Sequence, residues 1–157
     1  MNLKMKSGLL GLGIFLVMGL SSCTDNQTDQ SPPKVLDSYI QTSFNATGIQ
    51  DKKKMEELLT GDTKNRLVSW SDEQFLKAFV ETKKKFLGLK VLENKKVNDQ
   101  EVALTYELSY EEGSADKAAQ VTQRKLCSVV QIEGAWKIKE VRSIRESIEY
   151  LKELSLP

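Results

Sequence analysis

In the first half of the chain, apolar residues recur every three or four positions from Pro32 onward, which is typical of helices that bury one face. The proline pair that follows Ser31 marks a helix start, because proline loses no needed N–H in the first turn. A capping box at Ser71–Gln74 opens the longest predicted helix, which runs to about Phe86. The buried faces of the predicted helices carry Val35, Leu36, Tyr39, Ile40, Phe44, Met55, Leu58, Leu59, Phe75, Leu76, Phe79 and Val80.

After Gly88 the apolar residues alternate with polar ones, as expected for strands with one buried face. A tight connection at Asn98–Gln100 and a looser one at Glu111–Asp116 favour antiparallel neighbours, and Glu133–Ala135 turns the chain into the last strand of a four-strand meander. A second capping box, Ser143–Glu146, predicts a C-terminal helix with an apolar face. Helices followed by an antiparallel sheet predict an α+β domain, with the helices packed on one face of the sheet.

Strand parity makes a specific prediction about which side chains are buried. Tyr106 should be buried together with Leu104 and Leu108, whereas Glu107 should point to the opposite face. Trp136 begins the last strand directly after the predicted turn, and it is expected to anchor the core. The alternative for Trp136 is that its indole lines a pocket and contacts a ligand.

The N-terminus has the three parts of an export signal. Lys4 and Lys6 precede an uncharged apolar run, Gly8–Leu20, which is too short for a helix that needs roughly 20 residues to cross a bilayer. The segment Leu20-Ser21-Ser22-Cys23 then resembles a bacterial lipobox. The alternative is an ordinary signal peptide with an incidental cysteine.

The lipobox resemblance implies the domain organisation. Residues 1–22 would be a lipoprotein signal peptide, and Cys23 would become the lipidated mature N-terminus, carrying acyl chains such as palmitate. Residues 23–31 would form a flexible tether, since Thr24–Ser31 contains no apolar residue, and residues 32–157 would form the folded domain. The expected location is the bacterial cell envelope, anchored in a membrane through the acyl chains. Thr24, rather than aspartate, after the cysteine favours the outer membrane if the bacterium is Gram-negative.

The composition excludes several kinds of functional site but does not identify one. The chain has 157 residues, of which 39% are hydrophobic, and its 23 basic and 22 acidic side chains nearly cancel, which disfavours nucleic acid as a partner. Histidine is absent, so the familiar catalytic triads and imidazole metal sites are excluded. Cys127 lies in an apolar strand pattern and is expected to be a buried small hydrophobe. The sequence contains no motif for a cofactor, and no cofactor or metal is expected.

The order of elements and the closing hairpin Glu133-Gly-Ala-Trp-Lys-Ile138 resemble a cone-shaped nuclear-transport-factor-2-like domain, specifically that of small bacterial lipoproteins of the DUF4878 type. The resemblance covers roughly Pro32 to Val141. It implies a curved sheet folded around the helices, with a pocket between them. A cystatin-like sheet with a single helix is the nearest rival, and the several helices before the strands argue against it.

The residues expected to line such a pocket are Tyr39, Tyr106, Tyr110 and Trp136. Enzymes of this architecture generally pair an acid or a base with a tyrosine, and no inward base can be named, since Glu107 has the wrong parity. We therefore expect a non-catalytic binding module for a small apolar ligand or an envelope protein partner. The alternatives are a pocket enzyme of the isomerase or dehydratase kind and a structural spacer. An ionisable side chain that points inward opposite a tyrosine would favour the enzyme.

Overall fold

A computed structural model describes residues 31–82, 84–113 and 118–151. The predicted signal peptide, Cys23 and nearly all of the tether lie outside the described residues. Four N-terminal helices pack against one face of a four-strand antiparallel open sheet, which confirms the predicted α+β class. Among the described residues, no helix is both long enough and apolar enough to cross a membrane.

The helices come first and are short. Helix α1 spans Pro32–Phe44, α2 spans Gln50–Leu58, α3 spans Gly61–Val68 and α4 spans Asp72–Phe75, which continues into a π-helical turn at Leu76–Val80. As predicted, α1 begins at the proline pair and buries its apolar stripe against the sheet. The serine before it adopts an extended backbone but makes no side-chain capping bond.

The capping box that opens α4 is confirmed, but the helix behind it is shorter than predicted. The Ser71 hydroxyl accepts a 3.2 Å bond from the backbone N–H of Gln74, and the Gln74 side chain accepts a 2.8 Å bond in return. The helical backbone ends at Val80, and Phe86 lies in the first strand instead. There the Phe86 ring packs 5.6 Å from the ring of Phe44, a contact with α1 that a longer helix would not allow.

The four strands form a meander in sequence order. Strand β1 spans Lys84–Asn98, β2 spans Glu101–Glu112, β3 spans Ala119–Ile132 and β4 spans Ala135–Tyr150. The β3–β4 connection is a two-residue turn, Glu133–Gly134, in which both residues have positive φ, 51° and 82°. Positive φ at both residues is typical of a type I′ turn, whose twist matches that of the two strands it joins. The turn therefore confirms the predicted hairpin.

The predicted C-terminal helix is wrong, because residues 143–150 continue strand β4. They pair with the first half of β3, where Ile148 lies opposite Val121. A helix here would leave the backbone N–H and C=O groups along that side of β3 without partners. Strand pairing satisfies these groups, although it leaves Ile144, Ile148 and Leu151 exposed to solvent.

The predicted parity of β2 is confirmed. Leu104, Tyr106 and Leu108 are all buried on the face that the helices cover. Glu107 points to the opposite face, where its carboxylate lies 3.2 Å from the guanidinium of Arg124 on β3. The helix-facing side of the sheet therefore forms the core, and the other side carries a polar ladder.

The last strand is tied to the helices by backbone bonds. The N–H of Thr60, between α2 and α3, donates a 2.8 Å bond to the carbonyl of Ile138, which is fully buried. Two residues earlier, Trp136 is partly buried and packs against the same core. The prediction that Trp136 contributes to the core is therefore supported by its contacts, although its ring is not fully enclosed.

Candidate ligand-binding cavity

A cavity of about 390 Å³ that is open to solvent lies between the helices and the inner face of the sheet. Its walls come from α1, α3 and the π-helical turn on one side and from all four strands of the sheet on the other. This volume is within the range of about 300–1,000 Å³ that is usual for small-molecule sites. The apolar part of the lining consists of Ile40, Phe44, Leu59, Leu67, Trp70, Ala78, Phe79, Leu108 and Val141.

Of the four residues expected to line a pocket, three line this cavity. Tyr39 reaches it from α1, and Tyr106 and Tyr110 reach it from β2. Trp136 does not, since it lies near the turned end of β4 and contacts the core there. Burial raises the pKa of all three tyrosine hydroxyls, so they remain neutral hydrogen-bond donors near neutral pH.

An inward ionisable side chain, Lys125 on β3, was missed by the sequence reasoning. Lys125 lies directly opposite Tyr106 in the β2–β3 ladder, so both side chains are on the helix-facing side of the sheet. Lys125 also lies on the same face of β3 as Cys127 and Val129, which are both buried. Counting back by two from Cys127 along the strand places Lys125 on the same face.

The environment of Lys125 is unusual for a lysine. Its side chain is partly buried and lines the cavity, and its ammonium makes no hydrogen bond or ion pair within the described part of the chain. Burial lowers its pKa from the usual value, an effect that Lys84 adds to and that the carboxylate of Glu146 opposes. Glu146 is itself exposed and accepts a hydrogen bond from Gln123, the inward neighbour of Lys125 on β3.

Two further cations line the cavity. Arg66 of α3 is exposed, and its guanidinium has no hydrogen-bond or ion-pair partner among the described residues. The ammonium of Lys84 lies 5.4 Å from the centre of the Tyr110 ring and 3.7 Å from the Glu112 carboxylate. None of the described residues that line the cavity is acidic. The polar part of the lining is therefore made of cations, hydroxyls and one amide.

The π-helical turn shapes the aromatic wall. Phe79 lies in this turn, with its ring centre 5.0 Å from that of Phe75 and 5.9 Å from that of Trp70. A π turn widens a helix by one residue and is frequent at functional sites. Here it carries Ala78 and Phe79 to the cavity.

The same cavity offers nothing for metal binding in the described ranges. No group of three or more Asp, Glu or Cys side chains within residues 31–82, 84–113 and 118–151 comes together to hold an ion. Cys127 is fully buried, and burial raises the pKa of its thiol to about 12. The cavity lining thus supplies cations, hydroxyl donors and apolar surface to a ligand.

Comparison with known proteins adds no identification. No model of a known protein family matches the chain, and no curated protein is similar to it at a significant level.

Proposed function

We propose that this chain is a bacterial envelope lipoprotein with a nuclear-transport-factor-2-like domain, which binds a small apolar ligand in the cavity without chemically changing it. The observation that carries the proposal is the cavity itself, which lies between the helices and the sheet and has aromatic and aliphatic residues in its walls. The packing of four helices on one face of an antiparallel sheet is consistent with this domain type.

The anchor is supported by the order of features at the N-terminus. Two lysines, a 13-residue apolar run and the Leu20–Cys23 segment follow one another as in exported lipoproteins. Cleavage before Cys23 and acylation of its thiol would hold the domain at a membrane surface without a spanning helix. The polar residues that follow would let the folded domain stand away from the bilayer.

The anchor is tested by expressing the full chain in a bacterium with Cys23→Ser as the variant. We expect mass spectrometry of the wild-type protein to find a mature N-terminus at Cys23 with acyl chains, and the variant to remain unprocessed. Cys127→Ser serves as the control, and it should be acylated and processed normally. An unmodified mature N-terminus at any other residue would refute the lipoprotein assignment.

Apolar binding in the cavity is the second part of the proposal. Filling it with a neutral ligand would bring apolar surface out of water, which contributes roughly 25 cal/mol for each Å². Octanamide is a suitable neutral probe, since it has an apolar chain and no charge. Trp70 lines the cavity and can report binding by fluorescence once the other tryptophan is changed, as in Trp136→Phe.

We expect octanamide to change Trp70 fluorescence saturably when the full chain is held in a non-ionic detergent. Ala78→Phe places a ring in the cavity and should weaken this binding at least tenfold. Ala103→Phe adds the same ring on the outer face of β2 and should leave binding unchanged. Equal octanamide binding by both variants would show that the cavity is not the site.

A second candidate function, a pocket enzyme, is favoured by one observation. Lys125 points inward directly opposite Tyr106, the arrangement of an ionisable group facing a hydroxyl donor. A lysine can act as a base only if its pKa is lowered close to the working pH. NMR titration of Lys125 after reductive ¹³C-methylation separates the two functions. A pKa near 7 would support the enzyme, and a pKa above 9 would support the binding module.

A further inference from the structure

We infer that the ligand of this cavity is an amphipathic organic anion, whose charged head group binds Lys125 while its apolar body lies against the aromatic and aliphatic walls. This inference rests on the proposed function, because it takes the cavity to be a binding site, and it adds the chemical class of the ligand. It is carried by the distribution of charge and of unpaired polar groups around the cavity.

The first argument is the sign of the charge. Arg66, Lys84 and Lys125 come from three different elements and all line the same cavity, whereas none of the described lining residues is acidic. Over the whole chain the charges nearly cancel, with 23 basic and 22 acidic side chains. Lys84 is balanced by the Glu112 carboxylate at 3.7 Å, so the positive charge without an ion-pair partner at this site comes from Arg66 and Lys125 among the described residues. Its field favours an anion inside the cavity.

The second argument is that Lys125 lacks a partner. A partly buried ammonium is unfavourable unless it is paired or hydrogen-bonded. The nearest charge of opposite sign that affects it is Glu146, which is exposed and is hydrogen-bonded by Gln123. The described residues make no direct ion pair with the ammonium. An anionic head group in the cavity would supply the missing partner.

The third argument concerns two tyrosine hydroxyls that line the same cavity as Lys125. Tyr106 is almost fully buried, yet its hydroxyl has no hydrogen-bond partner among the described residues, and the same holds for the hydroxyl of Tyr39. No fully enclosed side-chain oxygen or nitrogen lacks a partner in this part of the chain, so both hydroxyls reach the open space of the cavity. Two neutral donors and an ammonium that line the same cavity form a site suited to the oxygens of a carboxylate.

Because the cavity has apolar walls, an acid with an apolar body should be a better ligand than a small inorganic anion. Phosphate or sulfate would pair with the cations and leave the aromatic walls facing water. An acid with an aliphatic or aromatic body uses both parts of the lining. The cavity volume of about 390 Å³ accommodates such a molecule of modest size.

The test compares octanoate with octanamide, which have the same chain and differ in the charge of the head group. Both are titrated into the full chain, with Trp136→Phe as the background, in a non-ionic detergent at pH 7. The partition of each probe into empty micelles is measured separately and used to correct its free concentration. We expect the wild-type cavity to bind octanoate at least tenfold more tightly than octanamide.

Lys125→Met then removes the charge while keeping an apolar stem of similar length. It should weaken octanoate binding about tenfold or more, as expected for loss of a hydrogen bond to a charged group, and leave octanamide binding unchanged. Lys125→Arg should restore most of the preference. Lys95→Met is the matched control, because Lys95 is exposed on β1 and lies outside the cavity lining.

The outcomes separate the two proposals. If octanamide binds in the cavity and octanoate binds no better, the anion inference is wrong and the proposed binding function stands. If neither probe binds, both are wrong. If Lys125→Met abolishes binding of both probes, the comparison of the two probes on the wild-type chain decides the inference by itself.

Discussion

The hydroxyl of Thr63 donates a 2.8 Å hydrogen bond to the backbone carbonyl of Lys139, 76 positions later in the chain. Lys139 is the extra residue of a bulge in β4, because its neighbours Ile138 and Glu140 pair with consecutive residues of β3. A bulge releases one residue from the ladder, and here α3 uses its carbonyl. Since α3 carries Arg66 into the cavity lining, this bond holds one wall of the cavity against the sheet.

Replacing this threonine should therefore loosen α3. We expect Thr63→Val to lower the free energy of unfolding by about 1 kcal/mol, the usual contribution of one hydrogen bond, as measured by urea denaturation. Thr60→Val is the matched control, since Thr60 makes its bond to Ile138 through the backbone N–H and no side-chain capping bond is present. Equal losses in the two variants would show that the Thr63 hydroxyl has no special role.

Trp136 should matter for stability and not for ligand binding. Its ring packs on the core without lining the cavity, so Trp136→Ala should lower the free energy of unfolding by up to about 3 kcal/mol, the lower end of the range for fully buried aromatic residues. Octanamide affinity of the folded Trp136→Ala protein should stay within twofold of that of Trp136→Phe, measured by the fluorescence of Trp70, which is the remaining tryptophan in both variants. An unchanged unfolding midpoint would refute the role in the core.

Asp51 should make the fold sensitive to acid. The Lys54 ammonium, 2.7 Å away, and the backbone N–H of Thr47 hold the pKa of the Asp51 carboxyl at about 2. In the unfolded chain this pKa is near 3.9. The folded pKa is the lower one, so the contribution of Asp51 is present above about pH 4 and is lost as the pH falls toward 2.

Urea denaturation at several pH values tests this. The stability difference between wild type and Asp51→Asn should be constant from pH 7 to about pH 5 and should shrink between pH 4 and pH 2. Asp99→Asn changes an exposed aspartate in the β1–β2 turn. The stability difference between wild type and this variant should hardly change between pH 7 and pH 2. For Asp51→Asn, a difference that does not depend on pH would contradict the assigned role.

Cys127 should be inert in the folded protein. It is fully buried, and its thiol pKa is raised to about 12, so almost no thiolate exists at pH 8. In the native protein, we expect iodoacetamide to label the peptide that contains Cys127 only at the rate at which the domain opens. In 8 M urea, labelling should be immediate. Rapid labelling of the native protein would contradict this burial and would point to an accessible path from the cavity.

Some features of this fold follow from local sequence patterns. The alternation in β2 determines which face is buried, because residues two apart in a strand share a side. The Ser71–Gln74 box fixes the start of α4, and the Glu133–Gly134 turn sets the last hairpin, since both depend on contacts between residues close in sequence. The N-terminal pattern that predicts a signal peptide and a lipobox also lies within a short stretch of sequence, and it stays a prediction.

Other features were decided only by contacts between distant parts of the chain. The spacing of Ile144, Ile148 and Leu151 fits a helix, but the open side of β3 needs a partner strand, and pairing with it satisfies a full row of backbone groups. A bulge at Ile144 also shifts the alternation, so no simple period describes that segment. The place of Lys125 in the cavity lining also depends on contacts between distant parts of the chain. Its position follows from pairing with Tyr106, and its solvation depends on helices that lie more than forty residues earlier in the chain.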